Sequence, residues 1–105
     1  MEISSLLAEF PSPLHQELSD TLVQAKSVRI ERIVSHGHVS PPDFWCDQGE
    51  NEFVLLIQGA ARLRFEDEVL EMKADDWIDV PTHRKHRVER KIPDEKAIWL
   101  AVFYE

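Results

Sequence analysis

The sequence predicts an all-β barrel or sandwich, and three observations carry that expectation. From Leu22 onward apolar residues recur with a period of two, the spacing at which strand side chains share a face. The candidate strands are short and separated by turn-forming or strand-stopping residues. No stretch after residue 22 sustains a helical stripe.

Residues 1–21 contain Pro11 and Pro13 with weak periodicity, and are expected to form a short helical or irregular strap lying against a barrel domain over 22–105. "SVRIERIV" sets Val28, Ile30 and Arg32 against Arg29, Glu31 and Ile33. "EFVLLIQG" is a continuous apolar run ended by Gly59, the pattern of a strand covered on both faces. "AARLRF" puts Ala61, Leu63 and Phe65 on one side, and "EDEVLEM" returns as a hairpin through Glu66-Asp67. "DWIDVP" is a short strand stopped by Pro81, which cannot donate to a ladder. "HRVER" sets His86, Val88 and Arg90 against Arg87 and Glu89. "KAIWLAVFYE" closes the chain with Ile98, Leu100, Val102 and Tyr104 opposite Trp99, Ala101 and Phe103. A last strand apolar on both faces needs a cover for the outer one, most simply a second copy, so a homodimer is expected.

Bulk properties narrow the function classes. At 105 residues the chain closes one modest core. Its formal net charge of −8 argues against non-specific binding of nucleic acid or anionic membranes, which requires a positive face. Cys46 is the sole cysteine, so no intrachain disulfide forms, as in a reducing compartment. The start "MEISSLLAEF" lacks the cationic and apolar pattern of a signal peptide, and no run approaches the ~20 apolar residues of a spanning helix. A cytoplasmic protein is expected. Three glycines in the whole chain nearly exclude phosphate-cradling loops.

Two spaced elements resemble a known family. Glu52 followed by Gly59 resembles the end of the first cupin motif, H-x-H-x(3,4)-E-x6-G. Asp75, Pro81, His83, His86 and Arg90 resemble the second, G-x5-P-x-G-x2-H-x3-N, with "ADDWIDVPTHRKH" close to the pattern of small cupins. The likeness covers about Arg29 to Tyr104, and "SHGHVSPPDFWCDQ", "PTHRKHRVE" and "WLAVFY" look like a subgroup of small bacterial cupins. The resemblance implies a double-stranded β-helix, or jelly-roll, barrel. It also implies one divalent metal (Zn, Fe, Mn or Ni) held inside by three histidines and a glutamate. The departures lie in the ligands. A three-residue spacer puts Cys46 and Gln48 at the histidine pair; a four-residue spacer puts Trp45 and Asp47 there. Asp75 and His83 stand where the second motif has glycines, and Arg90 where it has asparagine.

Only Glu52 and His86 therefore fall on family ligand positions, and strand alternation turns both inward. Gln48 shares parity with Glu52 and completes a reduced metal set; Cys46 and His83 are weaker candidates. His36 and His38 precede the expected positions and read as a solvated strand end. The stretch "HRKHRVERK" reads as a solvated rim balanced by acids, or as an entrance attracting an anionic ligand, with Arg84 at the cavity mouth. Trp45 reads as packing or as an aromatic wall over the opening. Two functions follow from these residues. One is a small-molecule-binding cupin, enzymatic or not, using Glu52 and His86 with a metal or as acid and base. The other is a metal-free, non-catalytic binding or sensing module. A purely structural dimer is the bland alternative.

Overall fold

The two longest strands set the frame. Val28–His36 and Lys96–Tyr104 run antiparallel over their full nine residues, from Val28 opposite Tyr104 to His36 opposite Lys96. The structure is a computed structural model describing residues 1–7, 17–36, 44–89 and 96–105. Its strands are β1 (Leu18–Gln24), β2 (Val28–His36), β3 (Asn51–Gln58), β4 (Ala60–Phe65), β5 (Val69–Lys73), β6 (Trp77–Val80), β7 (His86–Glu89) and β8 (Lys96–Tyr104). They form a five-stranded sheet, β1-β2-β8-β3-β6, facing a three-stranded sheet, β5-β4-β7. This is the expected all-β barrel.

The core lies between the sheets. Val54 and Leu56 of β3, Ala61, Leu63 and Phe65 of β4, and Ala97, Trp99, Ala101 and Phe103 of β8 are buried there together. On β3 the alternate residues Phe53, Leu55 and Ile57 are only half-buried. The apolar run thus has one core face and one outer face, rather than two covered ones.

On β2 the inward positions are Glu31 and Ile33, which line the interior, while Ile30 and Val34 point outward. Arg32, also on the outer face, is buried. Its guanidinium pairs with Asp20 and donates to the Leu6 carbonyl at 3.0 Å, pinning the N-terminal segment to the sheet.

The expected strap over residues 1–21 needs correction. Among the described residues there is no helix, and Leu18 already begins a strand that pairs with β2 through a bulge between Thr21 and Val23. This strand is a sheet edge with little buried surface, so neighbour pairing rather than its own hydrophobic pattern defines it. Residues 8–16 lie outside the described residues.

Backbone turns at three positions hold φ positive: Gly59 (93°), Asp75 (80°) and His83 (59°). Gly59 carries β3 into β4, and a Cβ there would meet the Lys96 carbonyl oxygen at 2.6 Å. Both the left-handed backbone and this close approach exclude a side chain. Gly59→Ala is expected to cost roughly 2 kcal/mol or more. In urea unfolding the midpoint should fall at unchanged slope; a wild-type midpoint would refute the account.

Candidate functional site

Sequence alternation places Glu52 and His86 in one hollow, from opposite sheets. Glu52 lies on β3, opposite Phe103 of β8, and points between the sheets. His86 opens β7, opposite Phe65 of β4. Their side chains meet with His86 Nε2 3.4 Å from Glu52 Oε1, and both residues are buried, at 7% and 8% exposure.

A third segment joins them. Cys46 and His86 exchange backbone hydrogen bonds, Cys46 N donating to His86 O at 2.7 Å and His86 N to Cys46 O at 3.1 Å. The extended stretch around Cys46 turns alternate residues Phe44, Cys46 and Gln48 toward the interior. Gln48 Nε2 then donates to Glu52 Oε1 at 2.8 Å, and the Cys46 thiol lies 3.6 Å from Gln48 Oε1. The three-residue spacer is therefore the one the fold uses, bringing Cys46 and Gln48 beside Glu52 and His86.

These groups line a cavity of about 300 Å³. Its walls are mainly apolar, with Ile33, Val54, Leu63, Val80, Val88, Trp99 and Phe103. Glu31 and Glu17 add carboxylates on the β1–β2 side, and Arg87 stands at the rim. Glu31 accepts from Ser19 Oγ at 2.9 Å and from Arg29 Nε at 2.6 Å. Arg29 also lies over the Phe103 ring, 4.3 Å from its centre.

The remaining sequence candidates stand elsewhere. Trp45 faces away from the cavity, with the Arg87 guanidinium 4.9 Å above its ring, because alternation gives the interior to its neighbours Phe44 and Cys46. Arg84 lies outside the lining as well. It is drawn to Asp67 at 2.6 Å and Glu68 at 3.3 Å and covers the outer side of Phe65. Arg87, the residue after His86 on β7, occupies the rim position that Arg84 was expected to take. His83 is exposed and pairs with Asp47 at 2.7 Å instead of folding inward. His36 is an exposed strand end, while His38, Arg90 and Lys91 lie outside the described residues.

The sequence reading missed Trp99, Phe103, Glu31 and Arg87 as cavity residues. For β8 the signal was present, since Trp99 and Phe103 share one parity, but the choice of inward face needed the partner strands. Arg87 carried no such signal: alternation turns it outward, and only its place on an edge strand lets it reach the rim.

Two strong metal donors are brought together, the Glu52 carboxylate and the His86 imidazole. The Gln48 amide offers its N–H, a donor, to that carboxylate, and the Cys46 thiol is directed at Gln48. Among the described residues no three His, Cys, Asp or Glu side chains are disposed to hold one ion. The set does not fit a tight divalent centre of the family type.

His86 is instead arranged as a charged donor. The Arg84 carbonyl, 2.9 Å from Nδ1, can only accept, so Nδ1 carries a proton, and Nε2 faces Glu52. Burial pulls the imidazole pKa down, but contacts with Cys46, Glu52 and the Arg84 carbonyl outweigh it. The pKa is pushed up from 6.5 to about 10. A folded-state pKa above the unfolded one adds stability that is complete below pH 6.5 and lost as pH rises toward 10. The unfolding free energy of the native protein relative to His86→Gln should therefore narrow across that window, measured by urea titration at stepped pH. A constant difference would show that the imidazole is not held charged.

With the site described, likenesses to known proteins bear on it. A family model described as a cupin domain matches residues 30–103. A candidate mannose-6-phosphate isomerase of Ralstonia eutropha JMP134 is similar at 34% identity, covering 100% of this chain and 99% of that one, with a TM-score of 0.93. A cupin superfamily protein of Desulfitobacterium hafniense DCB-2 shares 23% identity over 99% and 98% of the chains, with a TM-score of 0.74. An RmlC-like cupin with a double-stranded β-helix fold, from Methanocaldococcus jannaschii, shares 21% over 91% and 86%, at 0.72. Comparison with curated proteins gives no significant match. Among the described residues no helix is long and apolar enough to cross a membrane. The domain match runs from β2 to β8, most of the chain, and the chain belongs to the cupin family.

Proposed function

We propose that this cupin binds a small molecule inside the barrel, against the hydrogen-bonded group Gln48–Glu52–His86. One observation carries the reading: a carboxylate and an imidazole from opposite sheets meet on the wall of a mainly apolar cavity. Such a pair is no strong source of stability, because desolvating both partners offsets most of their attraction. Placing it beside open volume gives a ligand polar anchor points within an apolar envelope. Equilibrium dialysis of the purified protein against the small-molecule fraction of a cell extract, read by mass spectrometry, should enrich one compound. Glu52→Ala should abolish the enrichment. Equal enrichment by both proteins would sink the reading.

A second reading is enzymatic. It is favoured by the relative that bears the name of a sugar-phosphate isomerase, and by the acid–imidazole pair itself. Cupins often hold a divalent metal, and His86, its Nδ1 fixed by a carbonyl, would have Nε2 as its ligating nitrogen once that nitrogen gave up its proton. Elemental analysis of protein purified without chelator distinguishes the two readings. The binding reading expects substoichiometric metal, whereas metal bound one-to-one and lost in His86→Ala would favour the second. Incubation with mannose 6-phosphate, monitored for the ketose phosphate, tests the activity directly.

We also propose that the chain pairs with a second copy through the outer face of the five-stranded sheet. Phe53 and Trp77 stack there at 5.2 Å, beside Leu55, Leu100, Val102 and Ile30. Trp77 is 63% exposed. A face of this kind meeting itself about a two-fold axis buries apolar surface on both copies at once. Sedimentation should show a dimer at micromolar concentration. Trp77→Ala should weaken it roughly tenfold or more, because interface tryptophans commonly carry about 2 kcal/mol. A monomeric native protein would refute the pairing.

A further inference from the structure

The charges around the cavity are already matched, and that constrains what enters it. Among the described residues, three cations near the opening each stand beside an acid. Arg87 lies 3.2 Å from Glu89, Arg29 lies 2.6 Å from Glu31, and His86 faces Glu52. Arg84, the cation the sequence suggested for the mouth, is held away by Asp67 and Glu68.

An entering phosphate or carboxylate would have to break one of these pairs. It would also share the cavity with the carboxylates of Glu31 and Glu52. Like charges at such a distance from bulk water repel strongly, and a charge without a partner there is costly. Hydroxyl donors meet the opposite situation. Carboxylates accept more than one hydrogen bond at each oxygen, so Glu52 and Glu31 keep acceptor capacity beyond Gln48, Ser19 and Arg29.

Along the inner surface of β8 Trp99 and Phe103 line the cavity, Phe103 with the Arg29 guanidinium 4.3 Å from its ring centre. Glu31 sits beside Ala101 and Glu52 beside Phe103, with Trp99 further along the same face. Carboxylates flanking an aromatic surface suit a molecule with hydroxyls at its edge and C–H groups on its face. A volume of about 300 Å³ fits one ring rather than a nucleotide.

From this juxtaposition we infer that the ligand is a neutral polyhydroxylated ring compound, an unphosphorylated monosaccharide or cyclitol, held in the cavity that Trp99 lines, with its hydroxyls on Glu31 and Glu52. The inference rests on the binding role assigned to the cavity above and adds the chemical class.

The test compares matched probes on the full-length protein at equal concentration. The probes are glucose, mannose, ribose and myo-inositol, the monophosphate of each, and simple diamines as a cationic class. Thermal shift screens them and titration calorimetry measures affinity. At least one neutral compound should bind, and its phosphate ester should bind tenfold or more weakly, with enthalpy lost in Glu31→Gln. If Glu31→Gln proves unstable, quenching or enhancement of Trp99 emission by the neutral probe, with Glu31 intact, replaces it. The Trp77→Phe, Trp45→Phe background isolates that signal.

A phosphate ester binding as tightly as its parent, or a diamine binding where sugars do not, would overturn the ligand class while leaving the cavity as a binding site. Failure of every neutral probe also overturns it. The extract dialysis then decides separately whether the cavity binds anything.

Discussion

Two backbone hydrogen bonds between Cys46 and His86 hold the site together. They attach the segment before β3 to the free edge of β7, so the three-stranded sheet gains a fourth row where it faces the cavity. The β6–β7 turn reinforces the attachment. His83 N donates to Gln48 O at 2.9 Å, and Thr82 N to Asn51 Oδ1 at 3.1 Å. With its φ of 59°, His83 gives the turn the left-handed kink that a family glycine would otherwise supply. Without this seam Gln48 would not reach Glu52, and the polar group on the cavity wall would lose its third member.

The seam also explains why substitution in the first motif leaves the barrel intact. Cys46 is fixed by its backbone, so its side chain is free to vary without loss of the strand-like pairing. What changes is chemistry. Imidazoles at both positions would each offer a lone pair to an ion, whereas an amide N–H turned to Glu52 offers a proton instead. The interior becomes a hydrogen-bonding surface with one fixed carboxylate and one imidazole held charged. Both are satisfied by neighbours, which lowers the cost of burying them, yet neither is saturated.

Most of the barrel was legible because its strands obey one rule. Alternation on β4, β7 and β8 sorts residues onto the faces they occupy, and Pro81 and Gly59 end strands where expected. The inward placement of Glu52 and His86 followed from the same parity. Three features escaped that rule for separate reasons. The strand β1 is an exposed edge, so burial left no apolar period in its sequence. Arg84 belongs to a turn, where nearby Asp67 and Glu68 rather than periodicity direct the side chain. On β2 alternation separated two faces without saying which turns inward, and the inward one carries Arg29 and Glu31, which satisfy each other beside Phe103. A paired charge on an inner face has the same sequence signature as a paired charge on an outer one.

That last ambiguity separates fold from specificity in this chain. Its apolar residues fix which sheets pack, and many hydrophobic substitutions of similar volume would preserve the packing. The charged residues decide what the hollow accepts, and they do so through partners that no linear pattern reveals. Arg29 neutralises Glu31 from the same strand, while His86 neutralises Glu52 from the opposite sheet. The net result is an interior rich in acceptors but without an uncommitted positive charge among the groups described above. The overall field of a chain carrying eight more acids than bases repels anions. Screening confines that field to within about 8 Å in physiological salt, so local pairing at the cavity, rather than net charge, governs the selection.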